Sequence, residues 1–276
     1  MPEDGFLHET DSPQMPFAFL SHRGRVRQNN EDRLAVRSFI TGEQPPRPVL
    51  LAVLADGVGG HRAGEVAAQT GVDTVANFFG NLSSLEDPAA ALREVVVDAN
   101  LAVLEASAGS PELEGMGATC ICALIVEKTL YIAGLGDSRA YLLRGRTIRQ
   151  LNYDHTLLEE TAGIDLPGIK GITRNHPLAH VLSRYLGSAH PAPVDTRVRP
   201  EKKIFQKDAP AAEGLDLKNG DRILLCSDGL TDMLTDEEIR AAVKGKAPQK
   251  DVQQLVLCAL EKGGHDNVSV ILIEIP

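Results

Sequence analysis

The segment VLLAVLADG, residues 49–57, is an uninterrupted apolar run that stops abruptly at an acid and a glycine. A short run of this kind, without polar alternation, is typical of a strand buried on both faces. The pattern returns in residues 222–229, where a second apolar segment stops at Asp228-Gly229. Both segments are therefore predicted to be buried strands, each with an aspartate at its end.

Further strands and helices surround these two runs. Four helices are predicted. Two run over residues 63–79 and 88–106, the first with apolar residues at helical spacing. A third begins after Thr235, which forms a capping box with Glu238, and a fourth begins at Pro248. A closing strand is predicted over residues 267–275. Three strands separated by tight turns, residues 118–126, 129–135 and 139–144, are predicted to form an antiparallel meander.

The chain is predicted to hold one folded domain, residues 16–276. Residues 1–15 are acidic and polar, and are expected to be a disordered leader. Residues 163–193 are rich in Gly, Pro and His, which predicts a surface flap with one short helix near residues 178–186. The polar segment 196–219 is expected to be a solvated loop, with contact to an acidic or phosphorylated partner through its lysines as the alternative.

Composition and charge exclude several classes of protein. The net charge is −10, aromatic residues make up 4% and Trp is absent, which argues against nucleic-acid binding. The four cysteines lack metal-binding spacing and are expected to be reduced thiols. The N-terminus has no signal-peptide pattern, and no segment has the length of a membrane span. These features predict a cytoplasmic protein without membrane association.

Four aspartates stand beside or near a glycine at predicted strand ends or turns: Asp56, Asp137, Asp228 and Asp266. A single Asp-Gly pair is usually only a turn. Several carboxylates held at strand ends repel one another unless a cation neutralises them, and oxygen ligands of this kind suit Mg²⁺ and Mn²⁺. The combination predicts a site for a hard divalent cation.

Six segments in order resemble the motifs of the type 2C (PPM) metal-dependent serine/threonine protein phosphatases, and of the bacterial members in particular. They are GRVRQNNED (24–32), ADGVGGH with AGE (55–65), GMGAT (115–119), GDSRAY (136–141), LCSDGLTD (225–232) and GHDNVS (264–269). The resemblance extends from about residue 17 to the end of the chain. Six ordered motifs are far more specific than one short match.

The resemblance implies a role for each matched residue. Asp56 is expected to bridge two Mn²⁺ or Mg²⁺ ions, with the Gly57 carbonyl on the first. Asp228 and Asp266 are expected to hold the second ion, and Asp137 to help Asp228 bind a possible third. The remaining expectations are that Glu31 and Asp32 act through metal-bound waters, that Arg27 binds the substrate phosphate, and that Asn267 supports the Asp266 loop.

The fold that the resemblance implies is an α+β, four-layer α-β-β-α sandwich of two antiparallel sheets flanked by helices. The implied activity is hydrolysis of phosphoserine and phosphothreonine in proteins by a metal-activated water, without a phosphoenzyme. Arg27, Asp56 and Asp228 are the expected catalytic residues. The expected partners are phosphorylated proteins, with a serine/threonine kinase as the opposing activity, and the chain is expected to be a monomer.

One position departs from part of the family. Some members, mainly eukaryotic ones, carry a His directly after the Asp-Gly pair, where it is thought to protonate the leaving alkoxide. This chain has Val58, which has no proton to donate, whereas bacterial members often have an apolar residue there. His61 or a metal-bound water is the alternative proton donor, and His155, His176, His180 and His190 are given no role.

Three other functions make different demands on the sequence. A cysteine phosphatase needs Arg six residues after the nucleophilic Cys, and none of the four cysteines has it. A two-metal phosphodiesterase could also use clustered aspartates, but it does not predict the six motifs. A pseudophosphatase that only binds metal and a partner is the remaining alternative, although every matched acid is present.

Overall fold

Two antiparallel sheets lie face to face in the computed structural model, which describes residues 7–58, 62–82, 84–161, 176, 178–189, 193–199, 214–245 and 247–276. In pairing order, the first sheet contains β1 (Leu7–Glu9), β3 (Arg33–Thr41), β4 (Pro48–Ala55), β7 (Cys120–Val126), β8 (Thr129–Leu135) and β11 (Leu215–Asp216). The second contains β10 (Thr147–Gln150), β9 (Arg139–Arg144), β12 (Arg222–Cys226), β13 (Val268–Glu274) and β2 (Phe17–His22). A short ladder joins β5 (Gly57–Val58) to β6 (Gly117–Ala118).

Helices cover the outer face of each sheet. The helices are α1 (Arg62–Gly80), α2 (Pro88–Ala108), α3 (Leu157–Glu160), α4 (Asp228–Thr231), α5 (Asp236–Ala242) and α6 (Pro248–Glu261), with a 3-10 turn at Pro111–Leu113. Helices α1 and α2 pack on the first sheet, and α5 and α6 pack on the second. The expected four-layer sandwich is confirmed. None of the helices in the described part of the chain combines the length and apolar character needed to cross a bilayer.

Three apolar layers hold the sandwich together. In β4, Leu50 and Leu54 point between the sheets and meet Leu225 of β12, whereas Leu51 and Val53 point to α1 and α2. Both sets of side chains are fully buried, as predicted for this run. Because side chains alternate along a strand, an unbroken apolar run serves two layers at once. The second sheet repeats this arrangement against α5 and α6.

The predicted meander is wrong at its third strand. Strands β7 and β8 pair in the first sheet, but β9 pairs with β10 and β12 in the second. The chain changes sheets through Gly136, whose φ of +98° lies in the left-handed region. A Cβ there would stand 2.6 Å from Thr119 Cγ2, so the turn requires glycine. The crossover brings Asp137 to the edge where the two sheets meet.

Two further expectations differ from the structure. The expected disordered leader is wrong for its second half, since Leu7–Glu9 pairs with β3, Arg37 forms an ion pair with Glu9, and Met15 is buried between the sheets. The short helix expected near residues 178–186 is also wrong. Leu182 and Leu186 instead make isolated bridges to Thr156 and Ala118. Most of the predicted flap, residues 163–193, lies outside the described residues, as does much of the segment 196–219.

Candidate active site

A cleft of about 550 Å³ opens at the edge of the sandwich where β4, β12 and the loop before β13 converge. It contains seven of the residues singled out from the sequence: Arg27, Glu31, Asp56, Gly57, Asp137, Asp228 and Asp266. The other described residues that line it are Gln28, Asn29, Val58, Thr119, His180, Leu182 and Asn267. Asp32 is buried behind the wall rather than in it, and its Oδ2 accepts a hydrogen bond from Ser227 Oγ at 2.9 Å.

Asp56 is held at the end of β4 by Thr119. The Asp56 amide donates to Thr119 Oγ1 at 2.9 Å, and the Thr119 amide donates to the Asp56 carbonyl oxygen at 2.8 Å. The next residue, Gly57, has no space for a Cβ because the Gly64 carbonyl at the start of α1 lies against it. The backbone of this turn is therefore fixed by its neighbours, and the carboxylate of Asp56 cannot drift away from the cleft.

Asp228 and Asp266 come together through a second close approach of backbone. Asp228 begins α4 one residue beyond the end of β12, and a Cβ on Gly229 would collide with the Asn267 carbonyl oxygen. Asn267 contacts both Asp266 and Glu31. Its backbone N–H donates to Asp266 Oδ1 at 2.8 Å, and its side-chain Oδ1 accepts from the Glu31 backbone N–H at 2.7 Å. Its Nδ2 donates to the Asn29 carbonyl oxygen at 2.8 Å. The side-chain amide of Asn267 therefore joins the Asp266 loop to the segment that carries Arg27 and Glu31.

Burial and mutual repulsion make these carboxylates costly to ionise. Burial first, and then the charges of neighbouring acids, raise the pKa of Asp56 and the pKa of Asp228 well above their ordinary value. Burial raises the pKa of Asp32 to about 6, against the opposing hydrogen bonds of Ser269 and Ser227. Burial and the charge of Asp154 raise the pKa of Asp137 to about 6.

A cation is the natural compensation for this cluster, and the residues present fit a hard divalent ion. Asp32 Oδ1 and Asp228 Oδ1 are buried oxygens that accept no hydrogen bond in the described structure. The nearby acids offer carboxylate oxygens, which are the ligand atoms that a hard cation prefers. The described residues hold no group of three His, Cys, Asp or Glu side chains already arranged around one point. Water and the Gly57 carbonyl would complete the coordination, and Mg²⁺ usually keeps several waters.

Arg27 stands at the mouth of the cleft. Its side chain is 56% exposed, and its Nη2 atom donates to Asp266 Oδ2 at 2.6 Å. The hydrogen bond and charge of Asp266 raise the pKa of Arg27, so the guanidinium is permanently charged. An exposed guanidinium beside an oxygen-lined cleft is suited to bind a phosphate group.

Sequence reasoning missed several residues at or behind the cleft. Thr119 lies in the quoted GMGAT motif, but its hydroxyl contact with Asp56 is visible only in the fold. His180 lines the cleft, although no sequence pattern distinguished it from the other histidines. Val58 also lines the cleft with its side chain partly exposed, while His61 lies outside the described residues.

The sandwich and its oxygen-lined cleft define a metal-dependent phosphatase. The chain belongs to the protein phosphatase 2C family, whose model matches residues 19–268. It is 34% identical to the serine/threonine phosphatase stp of Listeria monocytogenes, over 93% of this chain and 94% of the relative.

Solved structures of similar proteins agree with this assignment. The Mycobacterium tuberculosis serine/threonine phosphatase PstP/Ppp has a TM-score of 0.76 and 32% identity, covering 95% of this chain and 98% of that one. A structure of the PstP catalytic domain in complex with two manganese ions has a TM-score of 0.74 and 32% identity, covering 94% and 97%.

Proposed function

We propose that this protein hydrolyses phosphoserine and phosphothreonine monoesters of other proteins with Mn²⁺ or Mg²⁺, and without a phosphoenzyme. The observation that carries the proposal is the convergence of Asp56, Asp137, Asp228 and Asp266 in one cleft with Arg27 at its mouth. These residues come from segments far apart in the sequence, so only the fold assembles them. The family and the names of the relatives support the same activity.

Each acid has a proposed share in holding the ions. Asp56 would bridge two ions, with the Gly57 carbonyl on the first and Asp228 with Asp266 on the second. Asp137 would join Asp228 at a third site, and the remaining acids, Glu31 and Asp32, would act through water. When bound, such ions lower the pKa of a coordinated water and neutralise phosphoryl charge.

The other cleft residues bind the substrate and handle its leaving group. Arg27 would bind the phosphoryl oxygens through its fork of N–H donors, which orients the ester for in-line attack. Val58 has no proton to give to the departing hydroxyl. Among the described residues that line the cleft, His180 is the one histidine, and its imidazole would be the proton donor.

The setting in the cell is also a proposal. Phosphorylated proteins are the substrate class, and we propose that a serine/threonine kinase supplies them. A cytoplasmic location is supported by the cysteines, which are all free: Cys120, Cys122, Cys226 and Cys258. We propose that the chain acts as a monomer, which the molecular mass measured by light scattering tests directly.

The decisive experiment measures phosphate release from a phosphothreonine peptide. We expect release with Mn²⁺, none with excess chelator, and none from Asp228→Ala with Mn²⁺. Release that persists in chelator would contradict metal dependence. Manganese binding without any release, in a folded wild-type protein, would favour the pseudophosphatase alternative, and release from a diester but not from the monoester would favour a phosphodiesterase.

A further inference from the structure

His155 is a buried histidine to which the proposed reaction gives no task. It is 1% exposed and lies in the segment between β10 and α3. Its ring and its backbone both contact the same glycine. The Gly136 amide donates to His155 Nδ1 at 3.2 Å, and the His155 amide donates to the Gly136 carbonyl oxygen at 2.9 Å. Gly136 is thus held by both of its backbone polar groups.

Gly136 is the residue at which the chain leaves the first sheet, and Asp137 follows it directly. Gly136 also lies against Thr119, which leaves no space for a Cβ. The Thr119 hydroxyl also shares a 2.8 Å hydrogen bond with Ser138 Oγ, directly after Asp137. Asp137 therefore stands in a short crossover whose flanking residues contact both Thr119 and His155.

The second ring nitrogen of His155 faces the segment that follows the flap. Nε2 lies 3.5 Å from Asp195 Oδ2, too far for a well-aligned hydrogen bond. Because Nδ1 accepts a hydrogen bond, the neutral ring carries its proton on Nε2, toward Asp195. Asp195 forms a bridge to Gly134, and Arg197 donates to its carboxylate at 2.6 Å. The carboxylate nearest to Nε2 is therefore itself held in place by Arg197.

We propose that His155 is a positioning residue that fixes the place of Asp137 in the cleft by holding the Gly136 peptide. The Nδ1 acceptor is the essential atom, since it determines how the Gly136–Asp137 turn is oriented. Residues that orient a metal ligand commonly change metal affinity by about tenfold to a hundredfold when they are replaced. This proposal rests on the proposed function in one respect, that Asp137 helps to bind an ion.

Two substitutions separate the acceptor from the bulk of the ring. In His155→Asn, the side-chain oxygen can occupy the position of Nδ1 and accept from Gly136. His155→Gln places its polar atoms near the position of Nε2 and loses that acceptor. His8→Asn, on the exposed edge strand β1, is the matched control for replacing a histidine by an amide.

The first readout is amide hydrogen exchange at Gly136 in the metal-free protein. We expect exchange at least about tenfold faster in His155→Gln than in wild type, and close to wild type in His155→Asn and His8→Asn. Rapid exchange of this amide in the wild-type protein would overturn the proposal, and that measurement needs no variant to fold.

The second readout is Mn²⁺ binding measured by calorimetry, with Asp137→Ala identifying the ion that depends on Asp137. We expect His155→Gln to weaken the binding of that ion about tenfold and to change the affinity for the other ions by no more than about twofold. In the Asp137→Ala background the same change should have no further effect. An equal loss at all ions, a loss that persists in that background, or an ion count that Asp137→Ala leaves unchanged would overturn the proposal.

The two readouts are independent of phosphate release. If wild type binds Mn²⁺ and responds to His155→Gln as expected but releases no phosphate, the proposed function fails and the positioning role stands. If phosphate is released normally while neither readout changes in His155→Gln, the positioning role fails and the proposed function stands.

Discussion

Arg27 and Asp266 form an ion pair at the cleft mouth, although they lie at opposite ends of the chain. The Arg27 guanidinium is more than half exposed, so this pair contributes little to stability. Its importance lies in placing a fork of donors beside the carboxylates. The neighbouring Arg25 is also exposed, but it does not line the cleft.

Replacement of Arg27 should therefore affect substrate binding more than the chemical step. We expect Arg27→Ala to raise KM for a phosphopeptide about tenfold, because a charge-assisted hydrogen bond is worth about 1.5–3 kcal/mol. The change in kcat should stay within about threefold, which steady-state kinetics with Mn²⁺ will measure. Arg25→Ala is the matched control and should leave KM unchanged. An unaltered KM in Arg27→Ala would remove Arg27 from the phosphate site.

Asp228 illustrates a residue that is placed for function at a cost in stability. It is buried among other acids, and one of its oxygens accepts no hydrogen bond in the described structure. Its charge is repelled by Asp137, Asp232 and Asp266. Without a cation, an ionised Asp228 therefore lowers the stability of the folded protein.

Asp228→Asn should consequently abolish turnover and stabilise the chelator-treated protein. We expect its Tm in chelator to rise by about 2–4 °C, which corresponds to about 1 kcal/mol. Differential scanning calorimetry measures the shift, and phosphate release measures the loss. Asp73→Asn, at an exposed position on α1, should change neither quantity. A lower Tm for Asp228→Asn in chelator would show that repulsion within the cluster is not the dominant cost.

Individual elements begin and end where local chemistry dictates. Helix α5 starts at a complete capping box: the Glu238 amide donates to Thr235 Oγ1 at 3.3 Å, and the Thr235 amide donates to Glu238 Oε2 at 2.9 Å. Both residues are local in sequence, so the capping box was predicted without the fold. The helix packs on the outer face of the second sheet, away from the residues that line the cleft.

Removal of this cap should reduce stability without reducing activity. We expect Thr235→Ala to lower the free energy of unfolding by about 1 kcal/mol, as for other N-cap replacements. Chemical denaturation measures the loss, while Thr235→Ser should keep the hydroxyl and most of the stability. An equal fall in kcat/KM would mean that α5 is coupled to the cleft, contrary to this expectation.

The fold brings several buried aspartates together at one edge of the sandwich, and burial makes their ionised forms unfavourable in the folded state. In the unfolded chain an aspartate has a pKa of about 3.9. Burial raises the pKa of both Asp32 and Asp137 to about 6 in the folded protein. Between about pH 4 and pH 6 the folded state keeps protons that the unfolded state has lost, so stability falls as pH rises through this window. Asp195, whose pKa is lowered by Arg197 and His155 against the effect of burial, acts in the opposite sense only below about pH 4.

The metal-free protein should therefore be more stable at pH 4.5 than at pH 7. We expect each of the two groups to contribute about 2 kcal/mol, a total of about 4 kcal/mol, or a Tm lower by about 8–16 °C at pH 7. Thermal denaturation in chelator measures it, and saturating Mn²⁺ should restore the Tm at pH 7. Asp137→Asn should reduce the pH dependence because one of the two groups no longer titrates. A Tm that rises between these pH values would contradict the assignment.

Local patterns in the sequence were sufficient for the central strands, the long helices and the acids of the site. An apolar run such as residues 49–55 contains its own burial pattern, and Asp56 or Asp228 keeps its chemistry wherever the chain carries it. The ordered motifs then implied the sandwich and the family, which the structure and the comparisons confirm. The roles assigned to individual site residues stay predictions for the experiments above.

The tertiary structure alone decided which sheet each strand joins and what stands behind the acids. The sequence pattern of residues 139–144 is that of a strand, and it fits equally well a hairpin with β8 and a crossover to the other sheet. Only the pairing with β12 shows that β9 belongs to the second sheet. The contacts of Thr119 with Asp56 and of His155 with Gly136 join residues 63 and 19 positions apart, respectively. Such contacts depend on how separate elements pack, and a local pattern of residues carries no record of that packing.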